Sequence, residues 1–237
     1  MDAAKQHSTT QLVHQAVYLL ANGQVEDFHQ LYRSRQFNRR AQGIDEACQV
    51  MDFPYEKRRN FYTYLYNRVL RCAPVDYLEF GVAGGESFRS WLALDRNPGS
   101  RFIGFDSFEG LPENWQADTP AGTFSTGGCV PVVDDPRASF VKGLFQDTVD
   151  AFSLGFAPQN RLVMHLDADL YSSTLFVLMA MNRHVRPGAV LLFDEFSARG
   201  FTDEFAALED YCAACRRDYR VVARRTDFAK LAVEITA

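Results

Sequence analysis

The sequence has no long apolar run and no excess of positive charge. Its longest uninterrupted apolar run is residues 175–181, far shorter than the roughly 18 residues that indicate a membrane span. The first residues contain no apolar signal core, so we expect neither secretion nor a membrane partner. The formal net charge of −5 argues against a nucleic-acid partner held by general electrostatic attraction.

Cysteine is scarce. The five cysteines are an odd number, and their spacing is not that of a disulfide framework, so we expect a reduced, cytoplasmic setting. The one close pair, Cys212 and Cys215, lies in a segment with apolar residues at helical spacing. This pattern favours ordinary half-buried helix residues, with zinc or redox chemistry as the alternative.

Charge and hydrophobic pattern divide the chain near residue 75. Residues 1–75 carry a net charge of +3 and residues 76–237 a net charge of −8. Apolar residues at helical spacing predict helices in 9–37 and again around 61–70. We therefore expect a helical N-terminal extension that covers the site or contacts a second copy. Four arginines within 33–40 indicate either a solvated helix face or contact with an anionic ligand or partner.

Strand patterns alternate with helix patterns in residues 76–237. The predicted helices are 86–94, 172–184 and 203–216, and the predicted strands are 77–81, 101–105, 138–144, 161–166, 189–193, 219–223 and 230–235. The last two strands read as a terminal antiparallel pair. This alternation predicts an α/β fold, a Rossmann-like doubly wound sheet of seven strands with helices on both faces.

Acidic or glycine residues come after five predicted strands in succession. Ligands of an open parallel sheet bind beyond the carboxyl ends of its strands, so these positions predict the site. They are Gly81, Asp106, Asp147 together with the preceding Gln146, Asp167, Asp169, Asp194 and Glu195. The loop 110–137 is rich in Gly, Pro and Thr and is too long for a plain connection, so we predict that it acts as a lid.

The first of these turns reads EFGVAGGES over residues 79–87, which is not the GxGxxG pattern of dinucleotide binding. Its glycines let backbone N–H groups point at a carboxylate near the following helix, with a plain strand–helix turn as the alternative. Asp106 follows the next strand and is placed to accept hydrogen bonds from ribose hydroxyls. Its alternative role is to cap the turn at 107–109.

Five segments, taken together and in order, resemble the macrocin O-methyltransferase family (TylF/MycF-like) of class I S-adenosylmethionine-dependent methyltransferases. They are YLEFGVAGGES (77–87), GFDSFEGLP (104–112), KGLFQDT (142–148), LDADLYSST (166–174) and PGAVLLFDE (187–195). The resemblance covers about residues 75–235, whereas residues 1–70 match less clearly.

The resemblance implies S-adenosylmethionine as cofactor. The glycine turn would hold its methionine part, Asp106 its ribose, and the segment from Phe145 would lie beside its adenine. The cofactor-binding residues that follow from this assignment are Glu79, Gly81, Val82, Gly84, Ser87, Asp106, Ser107, Phe145, Gln146 and Asp167.

The resemblance also implies Mg²⁺, held by Asp167, Asp194 and Glu195. Carboxylates at neighbouring strand ends repel one another unless a cation or a shared proton offsets their charge, and Mg²⁺ prefers such oxygen ligands. The alternative is that Asp167 and Asp169 cap the next helix while Glu195 is solvated. Glu195 also stands where the family has a second Asp, which leaves metal-free chemistry open.

The catalytic candidates are Asp167 and His165. His165 lies two residues before Asp167 on the same predicted strand and is the candidate general base. A histidine in an apolar strand is also commonly a buried structural residue, and this alternative stays open.

These observations predict an S-adenosylmethionine-dependent methyltransferase that, assisted by Mg²⁺, methylates a hydroxyl of a sugar or another secondary-metabolite small molecule. The alternatives are a metal-independent N- or C-methyltransferase, a non-catalytic S-adenosylmethionine-binding accessory protein, and a nucleotide-binding protein of another kind. We expect a small-molecule partner and a homo-oligomer, with a dimer favoured.

Overall fold

An eight-stranded sheet runs through the described part of the protein. The computed structural model describes residues 9–42, 44, 48–115, 118–197 and 202–237. The strands are β1 (Gln49–Met51), β2 (Val75–Phe80), β3 (Arg101–Asp106), β4 (Ala138–Lys142), β5 (Arg161–Leu166), β6 (Val190–Phe193), β7 (Tyr219–Arg225) and β8 (Leu231–Ile235). Their order is β1-β7-β8-β6-β5-β2-β3-β4. Neighbours are parallel except that β8 is antiparallel to β6 and β7.

Seven of these strands match the predicted ones, and the doubly wound α/β fold is confirmed. The eighth strand, β1, is a correction, because it lies in the segment that was predicted to be a helical extension. It pairs with β7, with Gln49 opposite Ala223. Two of its three residues are exposed, so it has no hydrophobic alternation by which the sequence could reveal it.

Helices cover both faces of the sheet. They are α1 (Thr9–Ala21), α2 (Val25–Gln42), α3 (Arg59–Tyr64, continued by a π-helical turn at Leu65–Val69), α4 (Glu86–Leu94), α5 (Phe145–Gly155), α6 (Tyr171–Ala180) and α7 (Asp203–Cys215). Helices α4, α6 and α7 match predicted ones, although α6 ends four residues early. Helix α5 was not predicted. Its first residues were assigned only to the end of the predicted strand 138–144.

The central strands are buried on both sides. All six residues of β2 are buried. Leu78 and Phe80 belong to one hydrophobic cluster, and Tyr77 belongs to another, together with Val163 of β5. Successive side chains of a strand point to opposite faces, so these clusters lie on the two faces of the sheet. This double burial explains the nearly continuous apolar strand sequences.

The N-terminal segment contributes to both clusters. Phe37 of α2 packs in the cluster of Leu78 and Phe80, while Phe61 and Tyr62 of α3 are fully buried in the cluster of Tyr77. The extension is therefore integrated into the core. A domain boundary at residue 75 stays a prediction.

Helix α1 is packed much less. Val13, Val17 and Leu20 are 53%, 60% and 49% exposed. Its neighbour residues 1–8, which include His7, lie outside the described residues. None of the described helices combines the length and the hydropathy that crossing a bilayer requires.

The cysteines are unpaired thiols. Cys212 is buried on α7 and Cys215 is half-buried on the same helix. Burial raises the pKa of the Cys212 thiol to about 12, which suits an inert core residue. Neither thiol belongs to a metal-binding group among the described residues.

Candidate functional site

A cavity of about 1010 Å³ opens at the carboxyl ends of the central strands. It lies where β2 and β5 are neighbours and the strand order reverses, which is the position where open α/β sheets bind ligands. The predicted site residues that line it are Gly81, Val82, Gly84, Ser87, Asp106, Ser107, Phe145, Gln146, Asp167, Asp194 and Glu195. Glu79 and His165 are not among its lining residues.

The glycine turn brings two strand ends unusually close. Gly81 has a φ of +91° and donates its N–H to the carbonyl of Phe105 at 2.9 Å. A Cβ at this position would lie 1.8 Å from the carbonyl oxygen of Asp167. Both observations require glycine at residue 81. The turn thereby joins the chain after β2 directly to the acidic segment after β5.

Asp106 ties the same turn to β3. Its Oδ2 accepts hydrogen bonds from the backbone N–H groups of Val82 and Ala83, both at 2.7 Å, and its Oδ1 accepts one from Phe108 at 2.6 Å. Asp106 therefore caps the turn at residues 107–109, as the alternative prediction stated. A carboxylate offers about four lone-pair positions, so Asp106, which lines the cavity, retains capacity for a ligand hydroxyl.

Glu79 lies behind the cavity wall. Its side chain is fully buried, and its Oε1 accepts a hydrogen bond from Ser87 at 2.6 Å. Its Oε2 accepts one from the Tyr77 hydroxyl, whose oxygen lies 2.6 Å from His165 Nδ1. Glu79 does not line the cavity, and its contact with the cofactor stays a prediction. Its carboxylate is used within the protein, where it orients Ser87.

His165 continues this buried network. Its Nε2 lies 3.0 Å from Asp194 Oδ1, so both ring nitrogens have partners. Burial alone would lower the pKa of His165, but Asp194 and Glu79 outweigh it and raise the pKa to about 10. Both ring nitrogens are thus occupied within the protein and the side chain is fully buried, so the role of His165 as general base stays a prediction.

Asp194 forms an ion pair that the sequence analysis did not anticipate. Its Oδ2 contacts the ammonium group of Lys230, and the two side chains are 2% and 1% exposed. Burial alone would raise the pKa of Asp194, but Lys230 and His165 hold it well below its ordinary range. Asp194 is therefore ionised and bound at both of its carboxylate oxygens.

Further carboxyl groups surround this pair. Burial raises the pKa of Asp167 well above its ordinary value, and Asp194 and Asp169 add to the effect. Burial and the nearby Glu195 raise the pKa of Asp169 to about 7, and Asp169 has a left-handed φ of +59°. Glu204, buried in α7, accepts the N–H of Glu195 at 3.1 Å. Such shifted carboxyl groups in a cavity are typical of functional sites.

The N-terminal segment supplies another wall. Tyr55 and Arg58 line the cavity, and the Arg58 guanidinium lies 4.4 Å from the centre of the Tyr55 ring. Arg58 also forms an ion pair with Glu86 at 2.8 Å, at the start of α4. A cation thus stands beside the glycine turn.

The loop 110–137 forms the opposite wall. Trp115 and Phe124 line the cavity, together with Gly110 and Thr119. The loop is braced by two hydrogen bonds between residues 111 and 122–123, at 2.8 and 3.0 Å. Part of the loop thus lies against the cavity, and its action as a lid stays a prediction.

Tyr55, Arg58 and Lys230 are among the cavity residues that the sequence did not reveal. Tyr55 and Arg58 belong to no recognisable motif. Lys230 immediately precedes β8, and Leu231 pairs with Phe193 of β6, so the register brings Lys230 opposite Asp194. The sequence did predict that the last two strands form an antiparallel pair. It did not reveal that β8 also pairs with β6, which is the pairing that places Lys230 in the cavity.

A protein-family model described as a methyltransferase domain matches residues 78–196. A curated relative is 8-demethyl-8-(2,3-dimethoxy-alpha-L-rhamnosyl)-tetracenomycin-C 4'-O-methyltransferase from Streptomyces olivaceus. It is 32% identical over 154 residues, and the match covers 58% of this chain and 58% of the relative. The chain thus spans less than two-thirds of that relative's length.

Solved structures share the fold. CalS11, a calicheamicin methyltransferase, superposes with a TM-score of 0.61 at 21% identity, covering 99% of this chain and 94% of CalS11. The O-methyltransferase NovP gives 0.58 at 21% identity, covering 76% and 80%. An O-methyltransferase from Bacillus cereus, in complex with SAH, gives 0.52 at 16% identity, covering 88% and 91%. The fold is therefore that of class I methyltransferases.

Proposed function

Because this chain belongs to the methyltransferase-domain family, we propose that it transfers a methyl group from S-adenosylmethionine to a hydroxyl of a secondary-metabolite sugar. One observation carries the proposal. A continuous cavity extends from the glycine turn and Asp106 to the carboxyl groups of Asp167 and Asp194. Its volume of about 1010 Å³ accommodates a cofactor and a small acceptor side by side. Membership of the narrower macrocin O-methyltransferase family is part of this proposal.

The side chains around the cavity fit the cofactor. Ser87, held by Glu79, and the cationic Arg58 flank the glycine turn and suit the amino-acid part. Asp106 suits the ribose hydroxyls, and Phe145 and Gln146 at the start of α5 line the cavity beside it for the adenine. S-adenosylmethionine supplies a methyl carbon that is electrophilic because it is bound to a sulfonium.

Asp167 is the proposed base. Its carboxyl group lines the cavity, where it can accept the proton of an acceptor hydroxyl. With the cofactor bound, Asp167 would accept the proton of the acceptor hydroxyl as its oxygen takes the methyl group and the sulfonium leaves as the neutral thioether. Trp115 and Phe124 exclude water from this part of the cavity.

The assignment of a sugar as the acceptor is the most specific part of the proposal. The relative from Streptomyces olivaceus is named for methylation of a rhamnosyl group, and CalS11 is described as a TDP-rhamnose 3'-O-methyltransferase. Both names support a deoxysugar hydroxyl as acceptor. The half-polar cavity, with the aromatic Trp115 and the carboxyl groups of Asp167 and Asp169, suits a sugar ring.

The predicted Mg²⁺ fits these residues poorly. Ligand atoms of His165, Asp167 and Asp194 lie within 4.8 Å of one another, which is close enough for a shared ion. Both oxygens of Asp194 are already bound, however, by His165 and Lys230, and both nitrogens of His165 have partners. We therefore derive no step through a metal.

Calorimetry with S-adenosylhomocysteine tests the cofactor site. We expect one site per chain, and no binding by the native chain would refute the proposal. Asp106→Asn should weaken binding by roughly tenfold or more, because it alters a charged acceptor of the ligand. Asp150→Asn, exposed on α5 and outside the cavity, is the matched control and should bind as the native chain does.

Turnover tests the reaction. With a panel of nucleotide-linked deoxysugars and glycosylated aromatic acceptors, the native chain should produce S-adenosylhomocysteine. Asp167→Asn should lower the rate by roughly 100-fold or more and leave S-adenosylhomocysteine binding within a factor of about three. Methylation of amines but of no sugar would contradict the proposed acceptor. Binding without turnover of any acceptor would favour an accessory protein.

We also propose a homodimer in a cytoplasmic setting. The exposed apolar residues Val13, Val17 and Leu20 of α1 support a contact with a second copy, and the unpaired cysteines support a reducing compartment. Light scattering of the native chain and of Val17→Lys tests the first point. A native mass of one chain would contradict it.

A further inference from the structure

We propose that Lys230 supplies the positive charge of this site and that the chain therefore has no resident divalent metal. The inference rests on the proposed function, because it concerns how the same cavity handles charge during methyl transfer. It assigns a role to a residue outside the motifs of the sequence.

The position of Lys230 follows from the sheet. Strand β8 is antiparallel to β6, and Leu231 pairs with Phe193. The residue before Leu231 is thus opposite the residue after Phe193, which is Asp194. The backbone register, and not a flexible surface contact, brings the ammonium group to the carboxylate.

The ammonium group is held on two sides. It forms an ion pair with Asp194, and it lies 5.1 Å from the centre of the Tyr55 ring. Lys230 is 1% exposed, yet it lines the cavity. A buried ammonium is tolerated only when it is paired, and here a carboxylate and an aromatic face provide that pairing.

A divalent ion would compete with this arrangement. The only described group of side chains that could hold a metal is His165, Asp167 and Asp194. An ion there would share Asp194 with Lys230 and His165 and would stand next to the ammonium group. Like charges at that distance in a buried site repel strongly. Glu195, the third predicted ligand, does not belong to that group.

Lys230 thus acts as a positioning residue. It forms an ion pair with Asp194, and Asp194 in turn contacts His165. Its charge also lies near Asp167, the proposed base, and offsets the repulsion between the carboxyl groups of Asp167 and Asp194.

Mn²⁺ binding followed by electron paramagnetic resonance tests the proposal, since carboxylate sites that take Mg²⁺ also take Mn²⁺. The protein is loaded with S-adenosylhomocysteine. We expect no site on the native chain. In Lys230→Met, Asp167 and Asp194 lose their cation, so we expect one Mn²⁺ per chain, bound at least about tenfold more tightly than by the native protein. Lys57→Met, on an exposed residue outside the cavity, should behave as the native chain does.

Two outcomes would overturn the proposal. The first is one Mn²⁺ bound by the native chain and lost in Asp194→Asn. The second is a folded Lys230→Met without an Mn²⁺ site. If Lys230→Met does not fold, the native chain and Lys230→Gln decide the question by the same criteria. Binding of S-adenosylhomocysteine, measured on the same native sample, reports on the proposed function separately from the metal result.

Discussion

The backbone at Gly81 faces the carbonyl of Asp167 so closely that a Cβ would lie 1.8 Å from its oxygen. The two residues follow β2 and β5, whose last residues, Phe80 and Leu166, are paired in the sheet. This contact sets the distance between the glycine turn and the acidic segment, and hence between the proposed cofactor and base.

Gly81→Ala should therefore disrupt the site. The new Cβ clashes with backbone, and the φ of +91° disfavours any side chain. We expect a lower melting temperature and S-adenosylhomocysteine binding weakened by more than about tenfold. Gly155→Ala is the matched control, since a Cβ there meets no atom within 4 Å. Native binding by Gly81→Ala would show that the contact is unimportant.

Arg58→Met should weaken binding of S-adenosylhomocysteine by roughly tenfold or more. The guanidinium lines the cavity beside Glu86 and is placed for the ligand carboxylate, and hydrogen bonds to charged groups contribute about 1.5–3 kcal/mol. Calorimetry measures the effect. Arg59→Met, on the exposed neighbouring residue, should change nothing. Equal affinities of the two variants would rule out a role for Arg58 in binding.

Asp76→Asn should lower the free energy of unfolding at pH 7 by roughly 3 kcal/mol, because it breaks a buried ion pair. Asp76 is fully buried and binds Arg101 at 2.7 and 2.8 Å. Burial alone would raise the pKa of Asp76, but hydrogen bonds from Arg101, Asn160 and Gln159 lower it.

The sign of the pH dependence follows from this lowered pKa. The stabilisation by Asp76 is complete above the unfolded-state pKa of about 3.9 and is lost as the pH falls through the folded-state value. The difference between native protein and Asp76→Asn in urea denaturation should therefore shrink below about pH 4. A difference that stays constant down to pH 2.5 would contradict this account. Asp150→Asn serves as the control.

Phe37→Ala should destabilise the protein by roughly 3 kcal/mol, because it removes a large buried side chain. The ring of Phe37 makes edge contacts with Phe205 and Phe228 at 5.3 Å and with Phe196 at 6.3 Å. Urea denaturation measures the change. Tyr32→Ala, on the exposed side of the same helix, should cost less than about 0.5 kcal/mol. Equal stability of both variants would mean that α2 does not support the core.

The local sequence pattern was sufficient to predict most strands of the sheet and the site residues at the ends of its parallel strands. Strand β6 is almost wholly apolar, and β2 leads into a glycine turn, so both could be found without a structure. Asp106 and Asp167 could be placed in the site because the ends of parallel strands share one edge of the sheet. In contrast, β1 has no pattern of its own, and only its pairing with β7 makes it a strand.

The roles of residues that depend on contacts with distant parts of the chain could not be predicted from the local pattern. His165 has the same neighbours in sequence whether it is a base or a buried imidazolium. The difference comes from Tyr77 and Asp194, 88 and 29 residues away. In the same way, only the folded chain shows that Ser87 and Tyr77 donate hydrogen bonds to the buried carboxylate of Glu79.

The sequence by itself determined the alternation of strands and helices, the glycine turn and the acids at the strand ends, because hydrophobic period and turn chemistry are local properties. The tertiary structure alone decided how the charge of those acids is offset. Lys230 is 36 residues from Asp194 along the chain, and only the antiparallel register of β8 on β6 brings the two together. Electrostatic energy depends on distance in space and on burial, and neither is written in the order of the residues.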